Sequence, residues 1–397
     1  VTRGNLLVGQ AGGATAVINS SLAGIIAEAQ RSGGFDGVLG MRRAAEGALQ
    51  GELVDLTGMT PHALAALRAT PGAALGSSRH RLSDDDAERL LSLFRRRDIR
   101  AFLYIGGNDS ADTVQRLAAM ATERGQELAA IAVPKTIDND LPETDHSPGY
   151  GSIARYVAVA TMDSAQDTES MPTMYPVKFI EVMGRDAGWV AAAAGLARRV
   201  EEDAPHLIYT PEMQVSRERL VDDIRRAYGE YGRVVAVTSE TVRDENGRPF
   251  ADARISGEVD PFGHPLLRGT ADAMCRLVQA ELGLRARFDK PGSLQRMSTA
   301  HVSSVDLSEA EEVGRAAVRL ALAGETGRMV TLVRDSDDPY SSHTAHADLA
   351  LVANRQKLLP PDFLTPDGSV TDAFRRYVTP LLGPEPLPRY ARLSDLL

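Results

Sequence analysis

One cysteine, Cys275, is all that this chain of 397 residues carries. A single thiol excludes an intramolecular disulfide framework and any cysteine-based metal site. It sits in a helical pattern, Ala271 to Val278, where it reads as a buried structural thiol, and a reducing cytoplasm suits it. Long apolar runs are also missing. None approaches the roughly 20 residues of a membrane span. Val1-Thr2-Arg3-Gly4 leads straight into the strand-like Asn5-Leu6-Leu7-Val8, with no secretory pattern before it, so no membrane association is expected. Lysine is scarce: Lys135, Lys178, Lys290 and Lys357 are the only four among 44 basic residues, which makes a lysine inside a motif more informative. The net charge of −10 weighs against a nucleic-acid partner. HExxH, a histidine pair with zinc spacing on a helix, the GxSxG elbow, Walker A and GxGxxG are all absent, so metalloprotease, serine hydrolase and the common nucleotide-loop classes have little support.

Strand-like runs alternate with helical patterns in what remains. The strand candidates are Leu6 to Val8, Ala101 to Ile105, Ile131 to Val133, Lys178 to Val182, Val234 to Val237 and Met329 to Val333. Helix candidates are Ala14 to Gln30, Asp84 to Arg97, Ser110 to Glu123, Ala187 to Arg199, Ser216 to Tyr228 and Ser308 to Leu322. Such alternation implies a doubly wound α/β architecture, and the length suits two domains. Ser83 with Asp86 marks one helix start, and Ser308 with Glu311 reads as a better capping box. Asp244 to Pro249 reads as a turn, the polar stretch up to Gly263 as a surface excursion, and the proline-containing end of the chain as an outer tail.

The most informative segment is Pro134-Lys135-Thr136-Ile137-Asp138-Asn139-Asp140, directly after the buried strand candidate Ala129 to Val133. Ligands of open α/β sheets bind at the carboxyl ends of strands. On an extended segment, residues two apart point to one side. Asp138 and Asp140 would then offer a base and a charge partner for a metal or phosphate. Two glycine-bearing strand–helix junctions accompany it. Gly9 to Asn19, with Gly12 and Gly13, lets backbone N–H groups approach an anion, although a plain glycine turn would look the same. Gly106-Gly107-Asn108-Asp109-Ser110 opens a helix, where Asp109 serves equally as an ordinary N-terminal helix acid. Arg79, the Met183-Gly184-Arg185 junction, Glu240 and the segment Arg287 to Arg296 complete the set, and Trp189, the only tryptophan, reads as packing.

Together and in this order, these pieces resemble the phosphofructokinase family, from the glycine turn near residue 9 to at least Met329. The motif Thr136-Ile137-Asp138-Asn139-Asp140 is the most specific, supported by Met183-Gly184-Arg185 and Gln295-Arg296. The resemblance implies two Rossmann-like three-layer domains with the active site in the cleft between them. Residues 1–152 plus about 295–345 would form the donor domain, 153–294 the sugar-phosphate domain, and 346–397 a C-terminal extension. It further implies a Mg²⁺-dependent transfer to the 1-hydroxyl of fructose 6-phosphate. Asp138 would be the general base, and Asp140, Lys135 and Thr136 would complete the catalytic group. Gly12, Gly13, Arg79, Gly107, Asn108, Asp109 and Ser110 would bind the donor. Met183, Gly184, Arg185, Glu240, Arg287, Ser293 and Arg296 would bind the sugar phosphate, and Asn108, Asp109 and Asp140 the metal. A cytoplasmic homodimer or homotetramer is expected.

Two positions bear on the donor. Members of the family that use ATP carry glycine where this chain has Asp109 and Lys135. An aspartate fills the space of the α-phosphate, and a lysine favours compact pyrophosphate, so pyrophosphate is the expected donor and the reaction reversible. The departures fall mainly on the acceptor side. Ser293 replaces a larger residue, Thr241 follows Glu240 where glycine is usual, and Pro176 replaces an arginine offered to a neighbouring subunit, with Lys178 a nearby substitute. Asn108 stands where many members have an aspartate. A different sugar acceptor, or a non-catalytic subunit, are the rival readings.

Overall fold

A computed structural model describes residues 3–78, 80–250, 269–365 and 367–396. Arg79 and the stretch from 251 to Gly263 lie outside the described residues. The chain divides into two compact units, one built from described residues of 3–150 and 296–358, the other from 151–250, 269–295 and 359–396.

The first unit contains β1 (Asn5–Gln10), β2 (Val38–Met41), β3 (Leu53–Asp55), β4 (Ile99–Gly106) and β5 (Ala129–Pro134). The second contains β6 (Val177–Val182), β7 (Leu207–Tyr209), β8 (Val234–Ser239) and β9 (Ala286–Asp289), after which β10 (Arg328–Asp337) and β11 (Tyr340–Asp348) return to the first. The first sheet has the order β11-β10-β5-β4-β1-β2-β3. Its strands from β10 to β2 are parallel, and β11 and β3 run antiparallel at the edges. Parallel strands covered on both faces read as continuous apolar runs, and Leu6, Leu7, Val8 and Ala130, Ile131, Val133 are fully buried. The second sheet, β7-β8-β6-β9, is wholly parallel. β1 and β4 are spatial neighbours but distant in sequence, which makes their carboxyl ends a topological switch point.

Helix boundaries follow local chemistry. Ser83 and Asp86 form a complete capping box, with Ser83 Oγ accepting from Asp86 N and Asp86 accepting from Ser83 N, both at 3.1 Å. The expected box at Ser308 is not a helix start. The helix Ser304–Leu322 is capped by Ser303, whose Oγ accepts from Asp306 N, so Ser308 and Glu311 lie inside it. The first long helix begins at Ile18, not Ala14, because the glycine turn and Thr15 precede it. The helix expected from Ala187 is shorter, Trp189–Ala193 followed by a 3-10 turn to Ala197. Trp189 is 2% exposed and packs on Phe363 and Tyr377, and Cys275 is buried, its thiol pushed up to about 12 by burial. The stretch from 346 onward, implied as one C-terminal extension, is divided between the units, and the tail expected from 358 supplies core residues to the second. Leu349 and Val352 are buried in the core of the first, Phe374 and Val378 in the second.

A buried charge cluster fastens the loop after β5. His146 Nε2 lies 2.6 Å from Glu309 Oε2 and its Nδ1 lies 2.8 Å from Asp145 Oδ1. Glu309 also accepts from Tyr340 and Ser342. Burial alone would lower the imidazole, but the two carboxylates outweigh it and raise His146 from 6.5 to about 9. A folded-state value above the unfolded one means stabilisation fully present below pH 6.5 and lost as pH rises through 9. At 1.36 kcal/mol per pKa unit this amounts to roughly 3 kcal/mol. Denaturant titrations should therefore show wild-type stability declining across that window, and His146→Gln should start lower and lack the decline. Equal slopes for the two proteins would remove the charged imidazole from the account.

Candidate functional site

Three loops leave the same edge of the first sheet. β1, β4 and β5 are adjacent and parallel, with Gln10 opposite Ile105 and Gly106 opposite Pro134, so the segments after them emerge side by side. The Lys135 main-chain N–H donates to Gly106 O at 3.1 Å and holds the β4 and β5 junctions together. Lys135 is only 3% exposed, and its Nζ donates to Gly13 O at 2.7 Å, which joins the β5 loop to the glycine turn. A Cβ on Gly13 would come within 2.6 Å of Arg296 Nη1, so glycine is what lets the guanidinium approach. Gly12, Gly13, Lys135 and Arg296 thus form one cationic cradle. Arg296, expected to bind the sugar phosphate from the segment that starts at about 295, lies in the first unit beside the glycine turn.

The two aspartates are not placed by strand alternation. Asn139 between them has φ 51°, a left-handed conformation that asparagine tolerates, and its Oδ1 accepts from Ser147 N at 3.0 Å. The segment bends instead of extending, because Thr136 Oγ1 accepts from Asp138 N at 3.1 Å and folds the chain back. Asp140 Oδ2 accepts from Asn108 Nδ2 at 3.1 Å, which brings the β4 junction to the carboxylate. Burial pushes the Asp140 carboxyl up. Its own amide, the Thr136 hydroxyl, the Lys357 charge and the Asn108 amide oppose that shift without cancelling it. Asn108 Oδ1 is buried with no hydrogen-bond partner among the described residues. Hard oxygen donors of this kind fit magnesium, which takes one or two protein oxygens and completes its shell with waters and phosphates. Among the described residues, no three His, Cys, Asp or Glu side chains form a metal cage of their own. Asp109 is exposed on the first turn of the helix Asn108–Glu123, and no hydrogen bond among the described residues joins it to Asp140. Gly107 precedes that helix as its N-cap, and Ser110 is buried with its N–H on Gly107 O.

Lys357, which belongs to none of the sequence motifs, also reaches this loop. Its main-chain N–H donates to Asp140 O at 2.7 Å, and its Nζ donates to Thr144 O and Asp145 O at 3.0 and 2.8 Å. Its rarity in this chain was the only signal, since the contact spans most of the first unit's length. Burial lowers its ammonium to about 8 despite Asp145 and Asp140. Lys357→Met should lower stability by about 2 kcal/mol, because two loop carbonyls lose a charged donor. It should also reduce turnover, with Lys357→Arg recovering part of both. Thermal unfolding and initial rates read the two effects, and an unchanged rate would separate Lys357 from the catalytic loop.

In the second unit the loops after β6 and β8 also share an edge, with Val182 opposite Ser239 and Glu240 N donating to Val182 O at 2.9 Å. Gly184 has φ 119°, and its carbonyl accepts from Ser239 Oγ. Met183 N donates to Gln295 Oε1 at 3.1 Å, and Gln295 Nε2 donates to Gly292 O at 2.9 Å, so the exposed Ser293 stands on a loop tied to Met183. Burial raises the Glu240 carboxyl, with Arg185 and Lys290 opposing and Glu181 reinforcing. Thr241 is buried with its N–H on Ser239 Oγ. Arg287 is elsewhere. It pairs in register with Lys178 near the start of β6, its Nη2 bonds Asp167, and it lies 4.9 Å from the Tyr175 ring. Lys178 is 2% exposed with Nζ 2.5 Å from Asp167 Oδ2, so it offers no charge in place of the arginine missing at Pro176.

The family described as Phosphofructokinase matches residues 5–321. A pyrophosphate–fructose 6-phosphate 1-phosphotransferase of Xanthomonas campestris pv. campestris is 42% identical over 100% of this chain and 97% of its own. A sulfofructose kinase of Alkalicoccus urumqiensis is 34% identical over 89% of this chain and 90% of its own. The crystal structure of a pyrophosphate-dependent phosphofructokinase from Marinobacter aquaeolei superposes with a TM-score of 0.87 at 38% identity, covering 98% of this chain and 94% of that one. Sheet order, loop motifs and these matches agree: the chain belongs to the phosphofructokinase family.

Proposed function

We propose that this chain transfers a phosphoryl group from pyrophosphate to the 1-hydroxyl of fructose 6-phosphate, giving fructose 1,6-bisphosphate and phosphate. The observation that carries the reading is Lys135, buried with its ammonium on Gly13 O, in the same loop as Asp138 and Asp140. Its charge and that of Arg296 suit a compact, highly charged donor held against the glycine turn. Asp138 takes the proton of the attacking hydroxyl as the new P–O bond forms and phosphate departs. Asp140 and Asn108 are the residues that would hold Mg²⁺, which supplies charge neutralisation on the transferring phosphoryl oxygens. Met183, Gly184, Arg185, Glu240 and Ser293 orient the sugar phosphate. An anhydride and an ester of comparable energy exchange places, so the reaction runs in both directions. We place the enzyme in the cytoplasm as a homodimer or homotetramer. No helix among the described residues is long and apolar enough to cross a membrane.

The test is a coupled assay with fructose 6-phosphate that compares pyrophosphate with ATP, with and without magnesium chelation. Rapid turnover with pyrophosphate, abolished by chelation, is expected. Turnover with ATP alone would sink the donor claim. A second reading keeps pyrophosphate and changes the acceptor. Exposed Ser293, buried Thr241 and the resemblance to a sulfofructose kinase favour it. A screen of sugar phosphates and sugar sulfonates at fixed pyrophosphate decides, and a clear preference for fructose 6-phosphate removes this alternative.

A further inference from the structure

The second unit contains a cavity of about 360 Å³ with no residue assigned to phosphoryl transfer in its lining. Leu196, Leu382 and Leu387 give it apolar walls, and Arg199, Arg375 and Arg389 give it positive charge. One wall is the segment Gly383-Pro384-Glu385-Pro386-Leu387-Pro388-Arg389. Three alternating prolines fix its φ angles, and Arg155 holds it from behind by donating to Leu382 O, Glu385 O and Pro386 O at 3.2, 2.7 and 3.4 Å. The far end is tied by Arg199 Nη2 to Tyr390 O at 3.2 Å. The wall therefore stands ready before any ligand arrives, and the volume falls within the range of small-molecule sites.

The charges are unequally satisfied. Arg199 has a partner in Asp203, at 3.2 Å. Arg375 is half-buried on the helix Asp372–Val378, and among the described residues its guanidinium makes no hydrogen bond or ion pair. Burial and the neighbouring Arg198 charge both disfavour its charged form, with Asp372 opposing. A guanidinium carries five donors in a planar fork that matches a carboxylate or phosphate. Among the described residues of the lining, Glu385 is the single acidic one.

We propose that this cavity is a binding site for a small organic anion, a carboxylate or phosphate monoester attached to an apolar body. Arg375 grips the anionic end, Arg389 adds charge at the mouth, and the leucines take the apolar body. The site is independent of the reaction assigned above.

Phenyl phosphate tests this, with inorganic phosphate and phenol as its two halves. Calorimetry and thermal-shift titrations would compare wild type, Arg375→Gln and the exposed-site variant Arg389→Gln. Wild type should bind phenyl phosphate saturably, beyond whatever inorganic phosphate achieves, and phenol should bind far more weakly. Arg375→Gln should weaken phenyl phosphate by about tenfold or more, the scale of one charged hydrogen-bonded contact, and should leave pyrophosphate-dependent turnover unchanged. Arg389→Gln should weaken it less, and it decides the matter if Arg375→Gln fails to fold. Equal affinity for phenyl phosphate in all three proteins, or no binding to wild type beyond that of inorganic phosphate, would overturn the proposal.

Discussion

Asp138→Ala should lower kcat by about 10²- to 10⁴-fold, the range for losing a positioned general base, with KM for both substrates nearly unchanged. The side chain is partly exposed, and the hydrogen bond that shapes the loop comes from its main-chain N–H to Thr136, which the substitution keeps. Stability should consequently stay within about 1 kcal/mol of wild type, as for substitutions outside the core. Asp138→Asn, of nearly the same size but unable to take a proton, should lose as much activity. Steady-state kinetics beside thermal unfolding read both quantities. An active, folded Asp138→Asn enzyme would transfer the role of base to another group.

Lys135→Met should act on the donor. Its ammonium is buried against Gly13 O, beside the turn that would receive pyrophosphate. Removing a charge-assisted contact worth about 1.5–3 kcal/mol should lower kcat/KM for pyrophosphate by about 10- to 200-fold, with a far smaller change in the sugar's own KM. Asp109→Gly combined with Lys135→Gly should go further and allow measurable turnover with ATP, because the double change opens space and removes a carboxylate. Initial rates across both donors provide the check. Undiminished use of pyrophosphate by Lys135→Met would separate this lysine from donor selection.

The legible parts of this chain were those where burial writes itself into composition. β1, β4, β5 and β8 are buried almost throughout and appear as mainly apolar runs, and β6 keeps that character around its buried Lys178 and Glu181, so the two sheets and their loop-bearing edges could be expected. β2, β3, β7 and β9 are only three or four residues long and left no comparable run. β11 alternates polar residues along an edge, with His343 and His346 among them, and resembles loop. Motif residues near one another in sequence were also found, but their geometry was not. The left-handed Asn139 replaces the expected extended segment, since that conformation depends on a bond to Ser147. Long-range partners were invisible for the same reason. Nothing local marks Lys357 as the group on Asp140 O, places Arg296 beside Gly13, or seals Lys178 behind Asp167.

The central claim is that the cradle around Lys135 receives pyrophosphate and that Asp138 activates the sugar hydroxyl. Phosphorus NMR of the purified wild-type enzyme with magnesium, fructose 6-phosphate and pyrophosphate, without any nucleotide, tests it most directly. The pyrophosphate signal should decay as inorganic phosphate and a second sugar phosphoester grow in equal amounts, and pyrophosphate should reappear from fructose 1,6-bisphosphate and phosphate. Persistence of the pyrophosphate signal, with ester formation only after ATP is added, would contradict it.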